Sequence, residues 1–324
     1  MHAAMTQHRT CGCGLGAVLL LVVTGAVGCT ARVAPHVTPA SAPAPSRIEV
    51  IGELKAFEET MGGAPTENFL SYSTRLVSDE RCYFTGKLQL PEFYSRLHLV
   101  REDGDRCASR AGDFDVFFYP VQAVASGEET ITVALAEAPM ERMLVVVPHE
   151  DFHNQAEARR APTEVAESAA TLVGFLTARA FAKEKFGEGS ATFQRLGNDV
   201  DLFLRKSFIV NVYYERVSEL YRSFRDGALT REQTLETKAR LFADLQQSCS
   251  AISPDPVSFN KCPAAMNNAG LAFDQTYTRH YPLMHDLYTS LGGDTTALVM
   301  TLKRLLPKWP SSVTRAADLM KVEP

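Results

Sequence analysis

His149-Glu150-Asp151-Phe152-His153 is the feature that most constrains how this chain can fold. Histidines four residues apart lie one above the other when the backbone between them is helical. Both imidazoles can then reach one zinc ion, while Glu150 faces the water that the metal would activate. The pattern therefore predicts a helix that carries a catalytic metal site.

A third metal ligand is expected on a second helix. Glu167 lies fourteen residues after His153, in a run of small and apolar residues typical of a buried helical face. A carboxylate there completes a His-His-Glu set and leaves a fourth position open, as a catalytic zinc site requires. Glu164, one turn earlier on the same helix, is the alternative ligand.

The N-terminal residues predict export. Leu15 to Val27 form an apolar core too short to span a bilayer comfortably, and Ala26-Val27-Gly28-Cys29 resembles a bacterial lipobox. We interpret residues 1–29 as a lipoprotein signal whose cleavage leaves Cys29 lipidated at the cell envelope. Thr30 after the cysteine favours the outer membrane in a Gram-negative cell. Ordinary cleavage to a free secreted protein is the alternative.

The mature chain is expected to be one domain on a tether. Residues 30–46 are rich in Pro and Ala, which predicts an extended linker. Residues 47–324 then form a mixed α/β lobe, 47–138, and a helical lobe, 139–324. The net charge is -5 and there is no basic stripe, so nucleic acid is not an expected partner. The oligomeric state is not indicated.

Four cysteines fall within this domain: Cys82, Cys107, Cys249 and Cys262. An even number in an exported chain predicts two disulfides. Of the three connectivities, we prefer Cys82 with Cys107 and Cys249 with Cys262, which closes short loops. The spacings do not suit a cysteine-bound metal.

Periodicity and chain breakers predict the elements of the domain. Strands are expected at 82–85, 114–119 and 130–135, the last from alternating polar and apolar residues and as a possible backbone partner for a substrate. Helices are expected at 47–61, 140–158, 164–186, 192–224, 230–249, 264–291 and 295–305. The predicted fold class is α+β, predominantly α-helical, with a small N-terminal β region.

Two blocks of the sequence resemble a known family. Val147 to Gln155, followed by Glu167 to Gly174, looks like the motif region of a family of predicted zinc aminopeptidases that are bacterial lipoproteins. A second block, Asn267 to Ala272, then Tyr277 and Leu291-Gly292-Gly293-Asp294, resembles a later stretch of that family. The resemblance covers most of the mature chain and is sharp in these two blocks.

The resemblance implies a zincin-like peptidase of the gluzincin type that acts on peptides. Zinc is then bound by His149, His153 and Glu167. Glu150 is the general base that takes a proton from the attacking water and delivers it to the leaving amine.

Other residues are candidates for supporting roles. Tyr277, or alternatively Tyr72, is the candidate to stabilise the developing oxyanion. Asn267 and Asn268 either support the site or begin a helix, because Asn is a good N-cap residue.

Three residues depart from the usual pattern: Pro148, Asp151 and Ala166, which stands before Glu167 where the family tends to carry Asn. Pro148 lies inside the expected helix, where proline removes a hydrogen bond and costs roughly 3 kcal/mol. Asp151 places a charge where an uncharged residue is usual. The alternative function is therefore a catalytically inactive zincin-like lipoprotein that binds partners or serves as a scaffold, with aromatic residues of 192–249 as its surface.

Aminopeptidase activity also needs carboxylates for the α-amino group of the substrate. By sequence position the candidates are Asp151, Glu157 and Glu164. Endopeptidase activity is the alternative.

Overall fold

The computed structural model describes residues 45–124, 127–309 and 316–319. These residues belong to one compact unit, Ala40–Pro324. The predicted signal, Cys29 and nearly all of the predicted linker lie outside the described residues.

The N-terminal part combines a helix with a small antiparallel sheet. After α1 (Pro45–Thr60), β1 (Asp79–Gly86) lies between β2 (His98–Val100) and β3 (Phe114–Val121). Cys82 in the middle of β1 is opposite Val100 on β2 and Phe118 on β3. Its disulfide with Cys107 attaches α2 (Gly104–Ser109) to the sheet, which is the pairing that we preferred.

Helices make up most of the remaining described chain: α3 (Val133–Glu137), α4 (Met140–His153), α5 (Thr163–Phe186), α6 (Ala191–Arg225), α7 (Arg231–Cys249), α8 (Asn268–Thr278), α9 (Tyr281–Ser290), α10 (Thr295–Leu305) and α11 (Ala316–Leu319). Short 3₁₀ turns lie at Tyr94–Arg96, Arg110–Gly112, Ala158–Arg160 and Leu306–Lys308. The predicted α+β, mostly helical class is confirmed.

The centre of the molecule is α5, which packs against α4, α6, α8 and α9. It is long and apolar enough to cross a membrane by length and composition, yet 89% of its apolar window is buried inside the protein. It is therefore a core helix, and the residues that it presents to its neighbours are held firmly in place.

The predicted strand at 130–135 is wrong. Ile131 makes only an isolated bridge with Tyr72, and α3 begins at Val133. The Thr132 hydroxyl accepts a hydrogen bond from the amide of Leu135 at 3.0 Å, so it caps a helix at the point where the alternation predicted a strand. The strand that contacts α4 through a side-chain hydrogen bond is instead β3, where the Tyr119 hydroxyl accepts from Arg142 at 2.8 Å.

The predicted helix 264–291 is two helices. α8 ends at Thr278, and α9 begins at Tyr281 with Pro282 in its first turn. Proline lacks the amide that would continue the α8 hydrogen bonds, whereas it is well tolerated at the start of a new helix. The helix predicted to end at Ala158 also ends earlier, at His153.

The aromatic residues of α6 are mainly core residues. Phe203, Tyr213, Tyr214 and Tyr221 are buried, and Phe208 is exposed. The second disulfide, Cys249–Cys262, connects the end of α7 to the loop before α8 and is again the preferred pairing. An interaction surface formed by this whole aromatic set is therefore not present.

Candidate metal centre

The helices α4 and α5 approach each other closely beside the first histidine. A Cβ atom placed on Gly174 of α5 would lie 2.8 Å from the Val145 carbonyl oxygen and 3.2 Å from the His149 Cβ. A side chain at this position would force the helices apart, so glycine is required by the packing. This close approach brings the ligand-bearing faces of the two helices together.

Three ligand atoms converge between these helices. His149 Nε2 is 3.2 Å from His153 Nε2, and Glu167 Oε2 is 3.3 Å and 3.0 Å from these two nitrogens. Two ligands about 2.0–2.1 Å from a tetrahedral zinc ion are separated by about 3.3 Å, so the three atoms fit such an ion. The sequence-predicted ligands are thus brought together, and Glu164 is not part of the cluster.

A second group with ligand-type atoms, Cys82, Cys107 and Glu102, is not a comparable site. The two sulfurs are bonded to each other and cannot act as thiolate ligands.

Glu167 is oriented by a residue that the sequence analysis missed. The Tyr94 hydroxyl donates to Glu167 Oε1 at 2.9 Å, which leaves Oε2 to face the histidines. The backbone amide of Tyr94 donates to the Thr276 hydroxyl at 2.8 Å, so α8 holds this tyrosine in place. Partners of this kind keep metal ligands in their binding orientation. No motif marks Tyr94 in the sequence.

The charges of Glu167 and the two histidines strongly affect one another. Burial works against ionisation of Glu167, but the imidazoles of His153 and His149 outweigh it and hold the pKa of this carboxyl far below its usual range. Burial likewise opposes protonation of His153, but the Glu167 carboxylate raises the pKa of His153 to about 9. The site is therefore built to stabilise positive charge at the position where a cation would bind.

Glu150 and Tyr277 line the same cavity as the ligands. Burial raises the pKa of Glu150, and burial together with the nearby Glu167 raises the pKa of Tyr277. The ring of Tyr277 lies 6.2 Å from that of His149 and is stacked on Tyr94 at 6.1 Å. Glu150 and Tyr277 thus share the cavity with the three ligand residues.

Side-chain hydrogen bonds hold α8, the helix that carries Tyr277, in place. The Ser168 hydroxyl donates to the Tyr277 carbonyl oxygen at 3.0 Å. Asn267 caps α8 and also donates to the Val116 carbonyl of β3 at 2.8 Å. Asn268 donates to the Gln89 carbonyl at 2.8 Å. Both asparagines therefore begin the helix and attach it to the sheet, so that their effect on the site is indirect.

The alternative tyrosine and the candidate amine-binding carboxylates lie elsewhere. Tyr72, Glu157 and Glu164 do not line the cavity. Asp151 points away from it and is buried, where Lys55 pairs with one carboxylate oxygen at 2.6 Å and Thr66 donates to the other at 2.6 Å. The unusual charged residue of the motif, Asp151, therefore belongs to a structural ion pair on the side of α4 away from the cavity.

The second departure from the motif does not interrupt the helix. α4 is continuous through Pro148, which is buried on the side away from the large cavity. The packing around α4 compensates for the hydrogen bond that proline cannot make.

The cavity beside the three ligands has a volume of about 470 Å³, which is in the range of small-molecule sites. Aromatic rings form one wall, and the ligand face of α4 forms another; the rings belong to Tyr83, Tyr94, Tyr119, Phe273 and Tyr277. The cavity is therefore suited to a small, partly apolar molecule with polar ends.

An HExxH helix, a glutamate on the next helix and a shared cavity define a candidate metal-dependent hydrolase. The model of a family described as "Putative aminopeptidase" matches residues 125–317, and the chain belongs to this family. The resemblance found in the two sequence blocks is thereby confirmed, and membership implies peptide substrates. No curated protein and no solved structure matches the chain.

Proposed function

We propose that this protein is a zinc-dependent peptidase that removes N-terminal residues from peptides at the cell envelope, where a lipid on Cys29 anchors it. The observation that carries the proposal is the convergence of His149, His153 and Glu167, with ligand atoms 3.0–3.3 Å apart, in a cavity that also contains Glu150. Two imidazoles and one carboxylate form the ligand set of many catalytic zinc sites.

Different residues of the cavity have different roles in the proposed reaction. A zinc ion in this site supplies Lewis acidity to the scissile carbonyl and to the attacking water. Glu150 accepts the proton of that water and passes it to the leaving amine, and its raised pKa suits transfer in both directions. Tyr277 donates to the developing oxyanion, and its own raised pKa keeps the hydroxyl protonated.

The proposal of exopeptidase activity is supported by family membership and by the size of the cavity. A volume of about 470 Å³ accommodates a short peptide better than a long polypeptide segment. Zinc-loaded protein is expected to hydrolyse a short peptide with a free amino terminus and to leave its N-acetylated form intact. Equal hydrolysis of both forms would show that the protein is an endopeptidase.

The metal is tested first, on the mature chain. Metal content is measured for wild type and for the His149→Ala/His153→Ala variant after loading with zinc and removal of the excess. We expect about one zinc per wild-type chain and none in the variant. Absence of bound zinc in the wild type would refute the enzyme proposal and support the binding-lipoprotein alternative.

Glu150→Gln separates chemistry from binding. The variant removes the base while it keeps nearly the same shape, so we expect zinc stoichiometry to be retained and peptide hydrolysis to fall by roughly 10²–10⁴-fold. Unchanged turnover would exclude Glu150 as the base.

The anchor is tested in a bacterial cell that carries out lipoprotein processing. The full chain is expected to incorporate labelled fatty acid and to fractionate with membranes, and Cys29→Ser is expected to lose both properties. A wild-type chain that is secreted free of lipid would support ordinary signal cleavage instead.

A further inference from the structure

Four basic residues of the described chain line the cavity, which is more than an amine-binding site would need: Arg81, Arg142, Arg159 and Lys206. Arg81 donates to Asp79 through Nε at 2.8 Å. Lys206 is buried and paired with Asp274 at 2.8 Å. Arg81 and Lys206 therefore belong to structural ion pairs at the cavity wall. Arg159 is exposed and donates to the Asn154 amide oxygen at 2.5 Å, so it is not held inside the cavity.

Arg142 is different. Its guanidinium donates to three neutral acceptors: the Gln122 amide oxygen at 2.9 Å, the Ser258 carbonyl at 3.0 Å and the Tyr119 hydroxyl at 2.8 Å. Among the described residues, no ion pair includes Arg142. A guanidinium has five N–H donors, so two remain beyond these three contacts.

The three contacts hold Arg142 rigidly in the cavity wall. They come from β3, from the residue after it and from the loop before α8, so the side chain is clamped from separate parts of the fold. A half-buried cation fixed in this way loses little conformational entropy when an anion binds to it. Neutral partners also leave its positive charge uncompensated within the cavity.

Arg142 lies on the ligand face of α4. It precedes His149 by seven residues, two helical turns, and both residues line the cavity. The helical rise separates them by roughly 10 Å along the axis. An extended peptide covers that distance with about three residues.

We propose that Arg142 binds a carboxylate of the substrate, and specifically the C-terminal carboxylate of a short peptide whose scissile bond lies about three residues away. The inference rests on the proposed peptidase function and assigns the substrate class: free peptides of about three to five residues. An acidic side chain at the same distance is the competing source of this chemistry, and the experiment distinguishes the two. A paired carboxylate and guanidinium would form charge-assisted, bidentate hydrogen bonds.

The inference is tested by binding, which does not depend on turnover. Zinc-loaded Glu150→Gln protein is titrated calorimetrically with tetra-alanine as the free acid and as the C-terminal amide. We expect the free acid to bind roughly ten- to a hundredfold more tightly, because the amide lacks the charged acceptor. Equal affinity for the two peptides would overturn the proposal.

A second variant tests whether Arg142 causes the preference for the free acid. Glu150→Gln/Arg142→Gln is expected to bind acid and amide equally, whereas the matched Glu150→Gln/Arg81→Gln is expected to keep the preference, because Arg81 is already paired with Asp79. A preference that survives Arg142→Gln would place the carboxylate elsewhere, for example on the metal, and would also overturn the proposal. A purely structural role of Arg142 predicts equal weakening of both peptides.

Two further arms complete the design. The peptide Ala-Ala-Ala-Glu with an amidated C-terminus carries only a side-chain carboxylate. It is expected to bind as weakly as tetra-alanine amide. Binding as tight as that of the free acid would show that Arg142 recognises an acidic side chain and would overturn the assignment to the C-terminus. Wild-type protein that fails to hydrolyse tetra-alanine while Glu150→Gln still prefers the free acid would count against the peptidase function alone. If Arg142→Gln does not fold, the comparison of acid with amide in Glu150→Gln still decides the proposal.

Discussion

Tyr94 and Glu167 are joined by a hydrogen bond of 2.9 Å that connects the sheet side of the molecule to the helix carrying the third ligand. One carboxylate oxygen accepts the tyrosine hydroxyl and the other faces both histidines. The orientation of the third ligand therefore depends on a residue 73 positions away in the chain. Correct docking of the sheet against α8 is part of building the metal site.

Tyr94→Phe is expected to weaken zinc binding by roughly 10–100-fold, because loss of a partner that orients a ligand has effects of this size. The measurement is a competition titration against a chromophoric chelator. Tyr83→Phe is the matched control, since Tyr83 lines the same cavity but accepts its hydrogen bond from Arg81. Equal zinc affinity in Tyr94→Phe and wild type would show that Glu167 is oriented by packing alone.

Gly174→Ala is expected to destabilise the protein by about 1–3 kcal/mol and to reduce zinc occupancy, because the new methyl group would force α5 away from α4. Urea unfolding and metal content measure the two effects. Gly52→Ala on α1 is the control: a Cβ there meets nothing within 4 Å, so the substitution should be neutral or stabilising. A fully stable, zinc-loaded Gly174→Ala protein would contradict the close-packing argument.

The stability of the zinc-free protein should depend on pH through His153. Its folded pKa of about 9 lies above the unfolded value, so its contribution is fully present below pH ~6.5 and is lost as the pH rises through about 9. In the presence of a chelator, we expect the free energy of unfolding measured with urea to be about 1–3 kcal/mol lower at pH 10 than at pH 6 because of His153. His153→Gln should have a correspondingly smaller pH dependence; an identical dependence would rule out the pair with Glu167.

Asp151→Asn is expected to lower stability by roughly 3 kcal/mol, because it leaves Lys55 without its buried partner. Zinc content should stay at one per folded chain, since Asp151 faces away from the metal cluster. Glu188→Gln provides the contrast, because it breaks an exposed ion pair with Lys183 and should change nothing measurable. Loss of zinc from folded Asp151→Asn would assign this carboxylate a role in the site.

Sequence reasoning succeeded where the signal is local. The spacing of His149 and His153 requires a helix, and the buried face that contains Glu167 required a second one; both helices are present. Helix boundaries were predicted well wherever caps and glycines mark them. The alternation at 130–135 led to a wrong strand prediction, because a strand also needs a neighbouring strand to pair with. This segment makes only one isolated bridge, between Tyr72 and Ile131.

The sequence by itself determined most of the long helices, the likeness to an aminopeptidase family and the three residues able to bind one metal, because short-range periodicity and side-chain chemistry carry that information. Only the tertiary structure decided that Tyr94 orients Glu167, that Asp151 is a structural ion pair and that Arg142 remains an uncompensated cation in the cavity. These roles arise from contacts between segments far apart in the chain, and such contacts depend on how whole helices and strands pack rather than on any local pattern.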